Sequence, residues 1–314
     1  MIYDVIGDVH GHATELAELL KKLGYRQRGE LFEPEDEDRR ALFLGDFLDR
    51  GPEIRETVRI VRAMIDAGVA LTVIGNHEYN AVAFHTSDGE GGWLRSRSNP
   101  HLFQHIETLY QYRGRPREFE ELLHWCRTLP FFLELPELRI AHAAWIPKDL
   151  AFLNASEPKG RALLSERFLQ RSAREGTPEN DAVEHILKGI EIKLPEGVYF
   201  VDKEGFRRGR SRVAWWMNPS EREELTVGDI VFPRSVTESS HPIAPEEYAL
   251  FSGYDHEKPL FLGHYWLSGE PKPLTPRIAC LDYSVAAGGK LVAYTFRGEE
   301  ELLEEHFVSV PRRP

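Results

Sequence analysis

The sequence predicts an α/β fold, and three observations lead there. Short apolar runs at residues 2–6, 41–44 and 70–74 each stop at a glycine followed by an acid or amide: Gly7-Asp8, Gly45-Asp46 and Gly75-Asn76. Between them lie helical stripes, Leu16, Leu19, Leu20 and Leu23 closed by Gly24, then Ile54, Val58, Val61 and Ile65 stopped by Gly68. Composition agrees, with 41% hydrophobic and 29% charged residues in a 314-residue chain long enough to bury a sizeable core. Strands and helices alternating in this way build a layered βαβ sheet.

Bulk properties exclude some partners. A formal net charge of −12 argues against a broad duplex nucleic-acid footprint, which needs clustered Lys and Arg. A small anionic substrate stays compatible, because bound cations reverse the local field. Cys126 and Cys280 sit in apolar stretches without metal-site spacing and read as reduced core thiols. No apolar stretch approaches the roughly 20 residues that span a bilayer. With a first strand starting at Ile2, no signal peptide and a cytoplasmic location are expected.

Taken in order, the first run ends in Gly7-Asp8-Val9-His10-Gly11. In extended backbone Asp8 and His10 point to the same side and converge, although local turn capping is the plainer reading of that pair alone. Residues 26–40 are charge-rich and read as a solvated loop. Gly45-Asp46-Phe47-Leu48-Asp49-Arg50-Gly51 places two carboxylates and a guanidinium on one loop at a strand's carboxyl end, where ligands of open α/β sheets gather. Gly75-Asn76-His77-Glu78 closes the third run. His85, His101 and His105 read as surface histidines.

Residues 85–135 form a mainly helical insertion. A fourth strand, 138–141, ends at His142, and helical stripes follow around 163–169 and 183–187. After a strand at 198–201 and a turn at 203–205, Arg207, Arg208, Arg210 and Arg212 stand beside Trp215 and Trp216. They cover an anionic substrate carrying a ring, with Arg212 foremost, or form a solvated hairpin edge over core tryptophans. The Pro-rich run 232–245 reads as loop. A fifth strand, 259–262, ends at Gly263-His264, and runs at 278–282 and 291–294 flank Gly288-Gly289 as a hairpin.

Five apolar strands thus end in Asp8 with His10, Asp46, Asn76, His142 and His264. Turn-making alone fills such places with Gly, Ser or Asp. The set mixes carboxylate, amide and imidazole without thiolate, which suits Mn²⁺, Fe or Zn²⁺ with open positions.

These pieces, with the tail Leu281-Asp282-Tyr283 and Gly288-Gly289, resemble the calcineurin-like metallophosphoesterases, specifically the phosphoprotein-phosphatase branch, whose bacterial members include diadenosine tetraphosphate hydrolases. The resemblance implies a β-sandwich flanked by helices: one domain over 1–314, its insertions at about 85–135 and 146–258 forming a cap or rim. It implies a pair of divalent cations, Mn²⁺ foremost, with Fe, Zn²⁺, Co²⁺ or Ni²⁺ as alternatives. Asp8 and His10 would hold one, Asn76, His142 and His264 the other, and Asp46 would bridge them. His77 would be the general acid, oriented by Asp49, with Arg50 gripping a phosphate oxygen and a metal-bridging hydroxide attacking.

The implied substrate is a phosphorylated small molecule, nucleotide or phosphoprotein, hydrolysed as a phosphomonoester. The alternatives are a dinucleoside polyphosphate hydrolase, a nucleotide phosphodiesterase and a catalytically silent scaffold. Two positions depart from the family pattern. Ala143-Ala144-Trp145 replaces a glycine pair, and Trp145 is expected to narrow the cleft. Trp266 stands where many metallophosphoesterases carry a second histidine.

Overall fold

The computed structural model describes residues 1–156, 164–201, 207–218, 224–232, 240–243, 253–255 and 257–313. The chain divides into two compact units: Met1–Leu187 with Lys258–Pro314, and Lys188–Glu257. The first part of the larger unit runs β1 (Ile2–Ile6), α1 (Ala13–Lys22), β2 (Tyr25–Arg28), β3 (Leu31–Pro34), β4 (Arg39–Phe43), α2 (Ile54–Asp66), β5 (Ala70–Thr72) and α3 (Asn76–His85). Helices α4 (Asn99–Gln111) and α5 (Pro116–Cys126) follow, then β6 (Phe132–Glu134), β7 (Arg139–Ala141), α6 (Pro147–Ser156), α7 (Glu166–Ser172) and α8 (Pro178–Lys188). The smaller unit holds β8 (Glu191–Lys193), β9 (Phe200–Val201), β10 (Arg207–Arg208), β11 (Arg210–Arg212) and α9 (Val227–Ile230). The chain returns through β12 (Leu260–Leu262), β13 (Ile278–Cys280), β14 (Asp282–Tyr283), β15 (Lys290–Phe296) and β16 (Phe307–Pro311).

Two sheets make the larger unit. The first has the order β14-β15-β1-β4-β5, with β16 added to β15, and β1, β4 and β5 run parallel. The second has the order β13-β12-β7-β6, with β12 parallel to both β7 and β13. Val5, Leu42 and Val73 from the first sheet meet Ile140, Phe261 and Ala279 from the second in one fully buried cluster. That shared apolar layer makes the pair a sandwich. Helices α1 and α2 flank the first sheet, α1 against β15 and β16 and α2 against β5.

Two sequence expectations change. Residues 26–40 are not a solvated loop throughout, because β2 and β3 pair as an antiparallel hairpin and Phe32 is fully buried. Phe32 and the buried Tyr25 anchor it among the charges. The run 278–282 serves both sheets: β13 pairs with β12, the Leu281 N–H donates to the Leu262 carbonyl, and β14 then pairs with β15. The turn at 203–205 and most of the Pro-rich run lie outside the described residues. No helix among the described residues is long and apolar enough to cross a membrane.

A buried charge ties the central strands of the first sheet together. Asp4 on β1, with no exposed surface, accepts from Arg39 Nε (2.5 Å) and Nη2 (2.8 Å), Tyr25 Oη (3.0 Å) and Thr295 Oγ1 (2.7 Å). Removing one partner of such a pair leaves the other charge desolvated. Asp4→Ala is therefore expected to lower unfolding free energy by about 3–5 kcal/mol in urea titrations, and a loss below about 1 kcal/mol would contradict the role given to Asp4.

Candidate metal centre

All five strand–ligand junctions lie in the larger unit. Asp8 and His10 follow β1, Asp46 follows β4, and Asn76 opens α3 after β5; His142 follows β7 and His264 follows β12. Three ligand groups thus come from the first sheet and two from the second, so they meet at one end of the sandwich rather than along a single sheet.

The backbone there is unusual. His10, Asp46, Asp49, Arg50, His264 and Trp266 all have positive φ, between 42° and 72°. Each such non-glycine residue costs about 1–3 kcal/mol and persists only where its surroundings hold it. Much of that holding comes from Glu78. Its Oε2 accepts the N–H groups of Asp46 (2.7 Å) and Gly75 (3.0 Å), and its Oε1 those of Phe47 (2.8 Å) and Leu48 (3.1 Å). Both oxygens face N–H donors, which favours a carboxylate even though burial and then Asp46 push Glu78 upward. Gly45 and Gly75 are required where the two strand ends touch, since a Cβ on Gly45 would strike the Gly75 backbone.

Asp46 is the meeting point. Its Oδ1 accepts the His77 N–H at 2.9 Å, while Oδ2 faces His10 Nε2 and His142 Nε2, each at 3.4 Å. His10 Nδ1 donates to the Leu48 carbonyl (2.9 Å) and His142 Nδ1 to the Leu44 carbonyl (2.7 Å). With Nδ1–H committed, each Nε2 presents a lone pair toward a carboxylate oxygen. Lone pair against lone pair is repulsive unless a proton or a cation lies between. Metal-bound histidines are pinned through their other nitrogen in just this way.

Asn76 Oδ1 adds a further oxygen, 3.0 Å from His142 Nε2 and 2.8 Å from His264 Nδ1. Asp8 Oδ2 accepts the His264 N–H at 2.9 Å, and its buried Oδ1 has no hydrogen-bond partner. Potential ligand atoms within 4.8 Å of one another group as His10, Asp46 and His77, and as Asp46, His142 and His264. Asp46 is common to both groups, and Asp8 belongs to neither. The donor set therefore fits divalent cations.

Electrostatics point the same way. Burial disfavours charge on His142, yet Asp46 and then Asp8 push it up to about 10. Burial followed by Asp282 raises Asp8 well above the carboxylate range. His10, buried and beside His77, is held down to about 3. The carboxylates draw positive charge to His142, while burial keeps His10 neutral with its lone pair open.

Beside this cluster lies a second arrangement. His77 Nδ1 donates to Asp49 Oδ2 at 2.6 Å, and Arg50 Nη2 lies 3.5 Å from His77 Nε2. Arg50 sits over the Trp266 ring, 4.1 Å from its centroid. His77 differs from the pinned imidazoles in that its Nδ1 is bound to a carboxylate rather than a backbone carbonyl and its Nε2 has Arg50 as neighbour. Trp266, noted only as a departure from the family pattern, supports Arg50 through cation–π contact.

Some sequence readings need correction. His105 is not a surface histidine: it is 4% exposed, and its Nδ1 donates to Asp49 Oδ1 at 2.7 Å. His85 is half-buried against it, and His101 is half-buried as well, its Nδ1 on the Ser96 carbonyl (2.9 Å). Trp145 is buried, edge-on to Phe132 and beneath Arg139, so it belongs to the packing rather than to a cleft wall. Arg212 lies in the smaller unit, where its Nε donates to the Lys188 carbonyl (2.9 Å) and it lines a 650 Å³ pocket with Arg207, Arg208 and Arg210. Trp215 and Trp216 are buried there, edge-to-face at 5.6 Å, as core side chains.

Sequence reasoning also passed over Asp282, which accepts from the N–H groups of Trp266 (2.8 Å) and Ser284 (3.0 Å), and Thr108, which bonds Asp49. Only Glu78 carried a local signal, the reach-back spacing of a capping box. Replacing Glu78 with Ala strands four buried N–H groups, so a stability loss of at least about 3 kcal/mol is expected from urea unfolding. A loss near zero would show that the loop holds its shape without Glu78.

Comparison with known proteins agrees with this geometry. A family model described as calcineurin-like phosphoesterase matches residues 1–189. The asymmetrical bis(5'-nucleosyl)-tetraphosphatase PrpE of Halalkalibacterium halodurans is 46% identical over 78 residues, covering 24% of this chain and 31% of that protein. The protein of the same name from Oceanobacillus iheyensis is 39% identical over 77 residues, covering 24% and 30%. The chain thus spans under a third of these relatives' length. A Saccharomyces cerevisiae protein serine/threonine phosphatase with similarity to human PP5 superposes with a TM-score of 0.52 at 14% identity, covering all of this chain and 80% of that one, a likeness of fold alone. With its family model spanning more than half of the residues and its strand-end ligands gathered around Asp46, the chain belongs to the calcineurin-like phosphoesterase family.

Proposed function

We propose that the protein is a metal-dependent phosphoesterase with a binuclear centre. The observation that supports it most is Asp46 Oδ2 facing two imidazoles pinned with their lone pairs inward, beside a buried Asp49–His77 pair. Asp8 and His10 would hold one cation, Asn76, His142 and His264 the second, and Asp46 both. The mixed oxygen and nitrogen set without thiolate favours Mn²⁺. When bound, the cations supply charge for the phosphoryl oxygens and activate water for in-line attack.

The chain's own residues do the rest. Arg50, braced on Trp266, offers a fork to a phosphate oxygen. Asp49 accepts the His77 Nδ1–H and its carboxylate stabilises the imidazolium, whose Nε2–H is the proton given to the leaving oxygen. That Nε2 and the Arg50 guanidinium are neighbours supports an acid and a phosphate grip acting from one side. A silent scaffold has no use for this set.

A phosphomonoester is the first substrate reading. The names of the tetraphosphatase relatives support a second, a dinucleoside polyphosphate. Rates on 4-nitrophenyl phosphate, a phosphopeptide and diadenosine tetraphosphate, each with Mn²⁺, Zn²⁺, Co²⁺ and Ni²⁺, decide between them by kcat/KM. Absence of hydrolysis across that matrix would return the molecule to the scaffold reading. In the active combination, His77→Ala is expected to lower kcat on an unactivated ester by roughly 10²–10⁴, as loss of a general acid does, and an unchanged kcat would remove His77 from the chemistry.

A further inference from the structure

Asp49 has more partners than orienting one histidine requires. Its Oδ2 accepts from His77 Nδ1 (2.6 Å), while Oδ1 accepts from His105 Nδ1 (2.7 Å) and from Thr108 Oγ1 (2.6 Å). The Thr108 hydroxyl in turn accepts the Asp49 N–H at 3.0 Å, so it grips both ends of a residue whose φ is +64°. His105 and Thr108 share one face of α4 and are the two buried residues of that helix. Asp49 and both imidazoles are 5% exposed or less at their side chains.

The contacts continue outward. His105 Nε2 lies 3.3 Å from His85 Nε2, at the end of α3. Burial, then His105 and Arg97, hold His85 down to about 4, so it is a neutral imidazole at neutral pH. An N–H at His85 Nε2 then donates to His105 Nε2, which commits the His105 proton to Nδ1 and to Asp49. Phe84 and Phe119 pack around these rings and keep water from replacing the bonds. Burial raises the Asp49 carboxyl, but the bonds from His105 and then His77 bring it below the ordinary carboxylate range.

We propose that His105 and Thr108, with His85 behind them, are positioning residues that fix the Asp49 carboxylate and through it the His77 ring. The inference rests on the reading of His77 as general acid. The hydrogen bonds and ring contacts of the three run to Asp49, to one another and to Phe84 and Phe119 rather than to the candidate metal ligands. Their effect is on proton delivery alone, through the angle at which His77 Nε2 meets the leaving oxygen. A carboxylate held by three donors cannot swing with the loop after β4, and a displacement of about 1 Å in such a pair costs up to roughly 10²-fold in rate.

The test compares two esters within each variant, because the ratio of their kcat values does not depend on the fraction of protein that is folded or metal-loaded. The full chain in Mn²⁺ is assayed on 2,4-dinitrophenyl phosphate, whose leaving group departs unprotonated, and on phenyl phosphate, whose leaving group needs a proton. For His105→Leu and Thr108→Val, kcat on phenyl phosphate is expected to fall about 10–100-fold and on the dinitrophenyl ester less than about threefold, with KM unchanged. His105→Asn, which keeps a donor near the Nδ1 position, should recover phenyl phosphate turnover to within about threefold of the parent.

Equal losses on both esters, or an Asn variant as impaired as the Leu variant, would overturn the proposal. His77→Ala run alongside separates the two readings. If it is selective against phenyl phosphate and His105→Leu is not, the positioning role fails alone. If it is not selective, the general-acid reading fails and takes this inference with it.

Discussion

The Glu78 carboxylate is the constraint on which the rest of this structure depends. One side chain at the first turn of a helix accepts four backbone N–H groups from two separate strand ends. Those bonds hold Asp46 in a left-handed conformation that a non-glycine residue avoids on its own. Without that conformation Asp46 could not turn Oδ1 to the His77 N–H and Oδ2 to the histidines at once. The candidate ligand Asp46 therefore acquires its geometry from a residue whose side-chain bonds go to backbone N–H groups.

The same logic repeats around the cluster. Backbone carbonyls of Leu48 and Leu44 take the Nδ1 protons of His10 and His142, and both leucines lie in or beside the loop that Glu78 supports. Gly263 leaves room for Asp8, whose carboxylate receives the His264 N–H. Strain is concentrated where ligands converge, and hydrogen bonds from packed elements offset it. Sandwich, loop and ligands form a graded sequence of supports, in which the rigid layer of buried apolar strands lets strained loops be held at their ends.

Much of the candidate site was legible because its residues sit at strand ends, where an apolar run stopping at glycine announces both the strand and the turn. His142 and His264 were found in this way although they belong to the second sheet. His105 was not, because a histidine in a helix of mixed polarity carries no local mark of what its face meets. Its partner Asp49 is 56 residues away in sequence. Trp145 was misread because a bulky residue beside a ligand suggests a cleft wall, whereas Phe132 and Arg139 enclose it. In the hairpin at 25–34, charges dominate the composition, but the buried Tyr25 and Phe32 decide which face is inward.

By itself the sequence determined the alternation of strands and helices, the places where ligand side chains leave the strands, and the His77–Asp49–Arg50 set. These are local properties, fixed by periodicity and by what can follow a glycine turn. Tertiary structure alone decided that the ligands divide between two sheets, that Glu78 ties their loops, that Trp266 carries Arg50, and that Asp49 is gripped from α4 as well as from α3. The reason is physical. Each of those contacts joins groups far apart along the chain, and only the packing of two apolar sheets face to face brings their loops within hydrogen-bonding distance.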